Sequence, residues 1–374
     1  MTRSHCNRKL CLAMTGSVLA LILFTLSFYG TAVLTETSAS LDGVTKKDLS
    51  SLQLLHVSGK RELFNMGTWL RKLYGNFLGT HYQPDLVHAQ ATGVARTHMS
   101  LQTVLASLYP PRNTAMEWNT KYNWQPIPVY SQLLNEDTFL LVRTPCPRYF
   151  EALYEVLNSS EIKQELQEYQ YLFYELTQLT GMNFTESEDV QSLYLTLLAE
   201  QEYGLQLPEW TKHYFPEKMQ FLAEQSYLYN VWTREMQKIK AGPFLQKMFN
   251  EWQAKVNSTL KPNKRKLFIY TGHDSTIVNI MHALKIWQRQ MPRYSAIIIF
   301  ELHRNKDTGQ YYVEIYFRNN PKEAPKMMQI PGCDKQCPLE QFTELCREVL
   351  LTQKDANRCD PKNEHFTEPP LRGP

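Results

Sequence analysis

Apolar residues recur at three- and four-residue spacing along much of the chain, which predicts amphipathic helices. This spacing predicts one helix from Arg61 to about Phe77, and a second from about Val94 that ends at Pro110 and Pro111. From Cys146 to about Ile239 the helical period continues without any strand signal. We therefore predict an all-helical subdomain inserted into the chain.

Short apolar stretches on both sides of this helical region predict strands. Val87–Gln90 is one of them, and Leu267–Tyr270 is another. A hairpin is predicted from Ser295–Leu302 and Tyr311–Phe317, joined by the turn Asn305–Gly309. The tail from Pro331 shows no periodicity. Strands that alternate with helices place the chain in the α/β class.

A histidine and an aspartate follow the second predicted strand directly. The strand passes through Gly272, His273 and Asp274 into a helix that we expect to begin with Ser275 or Thr276 near its cap. Open α/β sheets bind ligands at this end of their strands, and a helix N-terminus favours an anion such as phosphate. Asp274 could act as a general acid and His273 could donate a hydrogen bond to phosphate. Taken alone, such a tripeptide is more often a turn with a capping aspartate.

The N-terminal segment has the pattern of a targeting signal. Arg3, Arg8 and Lys9 precede an almost uncharged apolar run from Leu10 to Leu34. A secretory signal peptide or an uncleaved signal-anchor has this pattern, and a buried core strand is the alternative. We assign residues 1–34 to a signal peptide or signal-anchor. No second long apolar run occurs, so membrane contact is expected only through this segment.

Bulk composition narrows the class of protein. The 374 residues are 43% hydrophobic and 21% charged, with a net charge of +3. This is ordinary globular composition with no basic block, so we expect no nucleic-acid partner. Sequons for glycosylation in the secretory pathway occur at Asn158, Asn183 and Asn257.

Five cysteines lie beyond the apolar run, at positions 146, 333, 337, 346 and 359. In an oxidising compartment they should pair and leave one over. Cys333 and Cys337 could suggest a metal, but no second pair at ligand spacing accompanies them. A short disulfide loop is the better interpretation.

Several segments, in one order along the chain, resemble the histidine acid phosphatases. The resemblance extends from about Leu55 to Cys359, and its pattern is that of the animal lysosomal, prostatic and venom branch. The segments that carry it are Gly59–Arg61, Arg96–Ser100, Leu108–Pro111, Trp124–Val129, Cys146–Tyr149, Gly272–Thr276, Glu314–Arg318 and Pro331–Leu339.

The resemblance implies a fold and a cellular setting. The fold is a mostly parallel sheet flanked by helices, formed by residues 35–145 and 240–374, with a helical cap at 146–239. It also implies disulfides between Cys146 and Cys359 and between Cys333 and Cys337, and a homodimer. Cys346 has no counterpart. The expected location is the secretory pathway, with a lysosomal, secreted or membrane-anchored protein.

The resemblance also implies a reaction, the hydrolysis of small phosphate monoesters at acidic pH through a phosphohistidine. Neither a metal nor another cofactor takes part. Arg96 would bind phosphate, and His273 and Asp274 would have the roles given above.

The chain departs from the family at the nucleophile. An Arg-His-Gly-x-Arg segment supplies the nucleophilic histidine in that family, and no Arg-His-Gly occurs in this chain. Counting along the family pattern puts the segment near Phe28, Tyr29 and Gly30. Leu21–Gly30 would then be a disguised first strand with Tyr29 at a degenerate nucleophile position. Alternatively, the segment is missing and the apolar run is only a signal.

Two functions remain open at this point. One is an acid phosphatase impaired by the absent nucleophile segment. The other is a catalytically inactive secreted or membrane-anchored binding protein on the same scaffold, a pseudophosphatase that keeps a site for an anion. A structural glycoprotein without a ligand is a third alternative.

Overall fold

The computed structural model describes residues 17–25, 57–140 and 146–369. Within them, one sheet forms the centre of the molecule. Its strands are β1 (Ser17–Thr25), β2 (Val87–Ala91), β3 (Leu267–Gly272), β4 (Ile297–Arg304), β5 (Tyr311–Arg318), β6 (Lys326–Met328) and β7 (Cys337–Pro338). The strand order is β2-β3-β1-β4-β5-β6, and β7 pairs with β5 on the same side as β6.

Helices cover both faces of this sheet, which confirms the predicted α/β fold. Its strand directions are mixed rather than mostly parallel. Among the described strands, β2, β3 and β1 run parallel, whereas β4 to β7 pair antiparallel with their neighbours. The reason is local, because a short turn such as the one closed by Asn305 and Gln310 reverses the chain and makes a hairpin antiparallel.

The helices outside the cap are α1 (Val57–Leu78), α2 (Ala95–Leu108), α8 (Arg234–Val256), α9 (Asp274–Ala283) and α10 (Leu339–Cys346). Alternation along the strands gives each face its own core. Ile269 and Ile299 belong to the core under α1 and α2, whereas Tyr270 and Phe300 belong to the core under α8 and α9.

The cap contains α3 (Pro147–Leu157), α4 (Ser160–Gln167), α5 (Gln170–Thr180), α6 (Ser187–Tyr203) and α7 (Glu217–Tyr229), with a 3-10 turn at Glu209–His213. It has its own core, in which Phe173, Leu176 and Met219 are buried. The next helix, α8, runs without a break through the predicted boundary at residues 239 and 240.

The N-terminal apolar run contributes the middle strand of the sheet. β1 lies between β3 and β4, with Ile22 opposite both Ile269 and Ile299. The first-strand alternative predicted Leu21–Gly30, and the observed strand overlaps it at a position about five residues earlier. The assignment of 1–34 to a targeting segment stays a prediction. Among the described helices, none combines the length and apolar content that crossing a membrane requires.

The C-terminal tail is more ordered than its sequence suggested. β7 and α10 lie in this tail although no periodicity was recognised after Pro331. Leu339, Phe342 and Cys346 are the buried residues of α10, and their three- and four-residue spacing covers only eight residues.

The expected disulfides are present. Cys146 is bonded to Cys359 and Cys333 to Cys337, while Cys346 is a buried free cysteine. The first disulfide attaches the tail to the start of the cap, and Arg148 N donates to Cys359 O nearby at 3.0 Å. The three sequon asparagines, Asn158, Asn183 and Asn257, are exposed.

His88 on β2 makes stability depend on pH. Burial lowers its pKa to about 4, from 6.5 in the unfolded chain, and its ring stacks on Tyr130 with centroids 5.3 Å apart. Between these values the unfolded chain takes up a proton that the folded protein does not. The contribution of His88 to stability is therefore fully present above pH 6.5, and it falls by up to about 3 kcal/mol as the pH drops to 4.

We expect the His88→Phe variant to lose less stability than the parent protein between pH 7 and pH 4, as measured by urea unfolding at both pH values. Equal losses in the two proteins would contradict this role.

Candidate functional site

The site forms where two neighbouring parallel strands end at the same edge of the sheet. Gly272, the last residue of β3, pairs with Thr25, the last residue of β1. His273 follows Gly272 and caps α9, and Ser275 and Thr276 lie in the first turn, near the cap as predicted. There the Oγ1 of Thr276 accepts the N–H of His273 at 3.0 Å.

Gly272 lets the strand and the helix approach closely at this point. A Cβ at this position would lie 2.8 Å from Thr276 Oγ1. The same hydroxyl donates to Leu140 O at 2.9 Å, which fixes the start of α9 against the loop that contains Leu140. The local sequence therefore holds His273 and Asp274 at the strand end with little freedom.

Asp274 is almost fully buried, and both oxygens of its carboxylate accept hydrogen bonds. Ser275 N donates to Oδ1 at 2.7 Å, and the Tyr227 hydroxyl donates to Oδ2. Tyr227 belongs to α7, so a residue of the cap contacts the candidate acid directly. His273 is buried to the same degree, with 3% of its surface exposed.

A second tyrosine lies near this carboxylate. Burial raises the pKa of Tyr294, and the negative charges of Glu202 and Asp274 raise it further. Its phenol therefore stays protonated at physiological pH and can donate hydrogen bonds. Glu202 lies in the last turn of α6, so the cap also places a carboxylate near Tyr294.

Sequence reasoning missed both tyrosines. Neither one has a local signal, because Tyr227 lies 47 positions before Asp274 in a helix whose spacing reflects packing. Their roles depend on contacts that form only in the folded protein.

Arg96 lies in the first turn of α2, which begins beside the same edge. The turn before this helix is attached to β3, since Thr92 N donates to Thr271 O at 3.0 Å. Thr97 Oγ1 donates back to Thr92 O at 2.7 Å. Arg96 itself is 2% exposed. The structure thus brings the turn that carries Arg96 to the strand ends that precede His273.

The predicted nucleophile position, Tyr29, lies outside the described residues, and its role stays a prediction. What the structure adds is the place where β1 ends, because Thr25 is opposite Gly272.

The sequence of this chain is similar to those of known phosphatases. The sequence model of the histidine phosphatase superfamily, branch 2, matches residues 27–318. The chain is 38% identical over 301 residues to the venom acid phosphatase Acph-1 of Apis mellifera, covering 80% of this chain and 76% of that protein. The chain belongs to the histidine phosphatase superfamily.

Other members of the superfamily show the same relationship. Human prostatic acid phosphatase is 32% identical over 312 residues, which cover 82% of this chain and 79% of that protein. Human lysosomal acid phosphatase is 31% identical over 296 residues, which cover 78% and 69%. These relatives confirm the resemblance to the animal acid phosphatases.

Solved structures of more distant proteins share the fold. The apo form of Hafnia alvei phytase superposes with a TM-score of 0.64 at 16% identity, covering 90% of this chain and 97% of that one. At this identity the likeness supports the histidine phosphatase fold and no more.

Proposed function

We propose that this member of the histidine phosphatase superfamily is an acid phosphatase-like protein that binds small phosphate monoesters and hydrolyses them poorly. The observation that carries the proposal is the buried His273–Asp274 pair at the strand end, with the Arg96 turn bonded to the same strand.

The electrostatics of this edge suit a phosphate group. Arg96 supplies a permanent positive charge, and the N-terminus of the ten-residue helix α9 adds the positive end of its dipole. His273 can donate a hydrogen bond to a phosphoryl oxygen. A dianion bound here would replace water with charge-assisted hydrogen bonds.

Asp274 is suited to protonate the leaving oxygen. In phosphate-ester hydrolysis the bond from phosphorus to the leaving oxygen breaks while a bond from phosphorus to the attacking atom forms, and the leaving oxygen takes a proton. Tyr227 and Ser275 fix the orientation of the Asp274 carboxylate, which positions that proton.

Impaired turnover follows from the sequence. No Arg-His-Gly occurs in the chain, so the phosphohistidine route of the family lacks its nucleophile. Tyr29 is the candidate replacement within the N-terminal segment. If no side chain replaces the histidine, the protein is a pseudophosphatase that binds a phosphate monoester or another small anion without turnover.

Hydrolysis of p-nitrophenyl phosphate between pH 4 and 8 tests this proposal. We expect slow hydrolysis at acidic pH that falls by about 100-fold or more in Asp274→Asn, because an amide cannot donate the proton that the leaving oxygen requires. Calorimetry should show phosphate binding by the parent protein that Arg96→Gln abolishes.

Each result has a defined meaning. Phosphate binding without hydrolysis would support the pseudophosphatase. Absence of phosphate binding by the folded protein would overturn both alternatives. If hydrolysis is observed, Tyr29→Phe shows whether Tyr29 is the nucleophile.

The setting that we propose is the secretory pathway, as a lysosomal, secreted or membrane-anchored protein. Two disulfides and three exposed sequon asparagines support it. We also propose a homodimer, with any membrane contact made only through the N-terminal segment and with no nucleic-acid partner.

A further inference from the structure

Two glutamates and a histidine form a buried cluster at the opposite end of the sheet. Glu301 of β4 lies directly across from Glu314 of β5, and His303 follows two positions along β4. Glu301 is also opposite Ala20 of β1, five positions before Thr25, which is opposite Gly272 at the phosphate site. At about 3.4 Å per residue the two places are roughly 17 Å apart along the strand.

The three side chains converge on one point. His303 Nε2 lies 2.7 Å from Glu301 Oε2 and 3.6 Å from Glu314 Oε2. One donor atom from each residue falls within 4.8 Å of the other two. Glu301, His303 and Glu314 are 8%, 1% and 2% exposed, so bulk water does not screen them.

The charges of this cluster do not balance by themselves. Two like charges directly opposite each other on neighbouring strands destabilise a sheet. Among the described residues, the only cationic partner within 4.0 Å of these carboxylates is His303, which carries at most one positive charge. A protonated His303 therefore leaves one negative charge in excess, whereas a divalent cation with a neutral imidazole makes the cluster neutral.

The spacing of the donor atoms agrees with a metal centre. Zinc bonds to histidine nitrogen and carboxylate oxygen are about 2.0–2.2 Å long, which puts neighbouring ligand atoms of a tetrahedral site about 3.3–3.6 Å apart. The observed separation of 3.6 Å lies at the upper end of this range, and the separation of 2.7 Å lies below it. Small side-chain shifts would bring all three atoms to bonding distance.

Neighbouring donors already orient both carboxylates. The hydroxyl of Tyr74, from α1, donates to Glu301 Oε1, which leaves Oε2 directed at His303. Gln336 Nε2 donates to Glu314 Oε1 at 2.7 Å, and the hydroxyl of Tyr316 donates to Glu314 Oε2. Outer hydrogen bonds of this kind fix the ligands of metal sites in proteins.

We propose that Glu301, His303 and Glu314 bind one Zn²⁺ ion that joins β4 to β5 beneath α1. Imidazole and carboxylate are both zinc ligands, and three protein ligands leave the fourth coordination position to a water. The site lies apart from His273 and Asp274, so the ion takes no part in phosphate chemistry and the proposal goes beyond the function proposed above.

Zinc analysis of the purified full-length chain tests the proposal. The protein is stripped with a chelator at neutral pH, titrated with ZnCl₂ by calorimetry, passed through gel filtration and analysed for metal content. We expect one tightly held zinc per chain. His303→Gln and Glu314→Gln should each lose this zinc, and Tyr74→Phe should weaken binding by about 10- to 100-fold.

The matched control is His365→Gln, which removes an exposed histidine and should leave zinc binding unchanged. Circular dichroism establishes that each variant is folded. If a ligand variant does not fold, Co²⁺ added to the stripped parent gives a second measurement, with visible bands of a four-coordinate nitrogen and oxygen site expected. A folded parent protein that retains no zinc, or a His303→Gln variant that retains as much as the parent, would overturn the proposal. Neither result depends on phosphatase activity.

Discussion

Replacing Ile22 with proline is expected to leave most of the chain unfolded. Ile22 is in the middle of β1, opposite Ile269 on one side and Ile299 on the other. Proline has no N–H to donate to the ladder, so central strands exclude it. An unsatisfied backbone group in this place costs about 1–3 kcal/mol, and the ring also disturbs the pairing of both neighbouring strands. A typical domain has only about 5–15 kcal/mol of stability to lose.

A proline at an exposed turn provides the control for this experiment. Lys306 follows Asn305, whose backbone carbonyl accepts Gly309 N at 2.9 Å and whose side chain accepts Asp307 N at 2.9 Å. This place in a turn tolerates proline, so Lys306→Pro should fold normally. Circular dichroism and urea unfolding measure both variants. A folded Ile22→Pro protein with the midpoint of the parent would show that β1 is not needed in the sheet.

The importance of β1 also explains why the sequence was ambiguous there. A strand inside a sheet that helices cover on both faces consists of consecutive apolar residues without alternation. A signal segment has the same pattern, and periodicity cannot distinguish the two. By contrast, the helix predicted from Arg61 to Phe77 was found at Val57–Leu78, because a surface helix shows its buried face in the spacing of its residues.

The candidate site was partly predictable for a similar reason. His273 and Asp274 were found because a strand, a turn and a helix follow one another within a few residues. Tyr227 and Tyr294 were not found, since they come near Asp274 only in the folded protein, and Tyr227 does so from the cap. The disulfide partners Cys146 and Cys359 are 213 positions apart, and only the family resemblance connected them.

The contact of Tyr227 with Asp274 shows that the cap affects the environment of the candidate acid. Tyr227 extends from α7 to the Asp274 carboxylate, so a shift of the cap would change the hydrogen bonding of the group that we expect to supply the proton. Contacts that fix the position of the cap therefore also fix the hydrogen bond between Tyr227 and Asp274. The attachment of the tail to α3 contributes directly to this constraint.

Removing the disulfide between the cap and the tail is expected to lower stability by about 2–5 kcal/mol. Cys146 and Cys359 close a loop with a sequence separation of 213, which restricts the unfolded chain strongly. The folded tail keeps other contacts, because Lys362 N and Asn363 N donate to the Glu151 carboxylate at 2.7 and 2.8 Å. The double variant Cys146→Ala, Cys359→Ala should therefore still fold, with a lower urea midpoint.

The second disulfide provides a control within the same chain. Cys333 and Cys337 are separated by only 4 positions, so the same chain-entropy relation gives about 2 kcal/mol for their removal. Urea unfolding at pH 7 should rank the parent first, the Cys333→Ala, Cys337→Ala variant second and the Cys146→Ala, Cys359→Ala variant last. Both pairs are largely buried, so the loss of sulfur packing is similar in the two variants. If the short-loop variant were the less stable of the two, the tail would be held to the cap by its hydrogen bonds to Glu151 rather than by the disulfide.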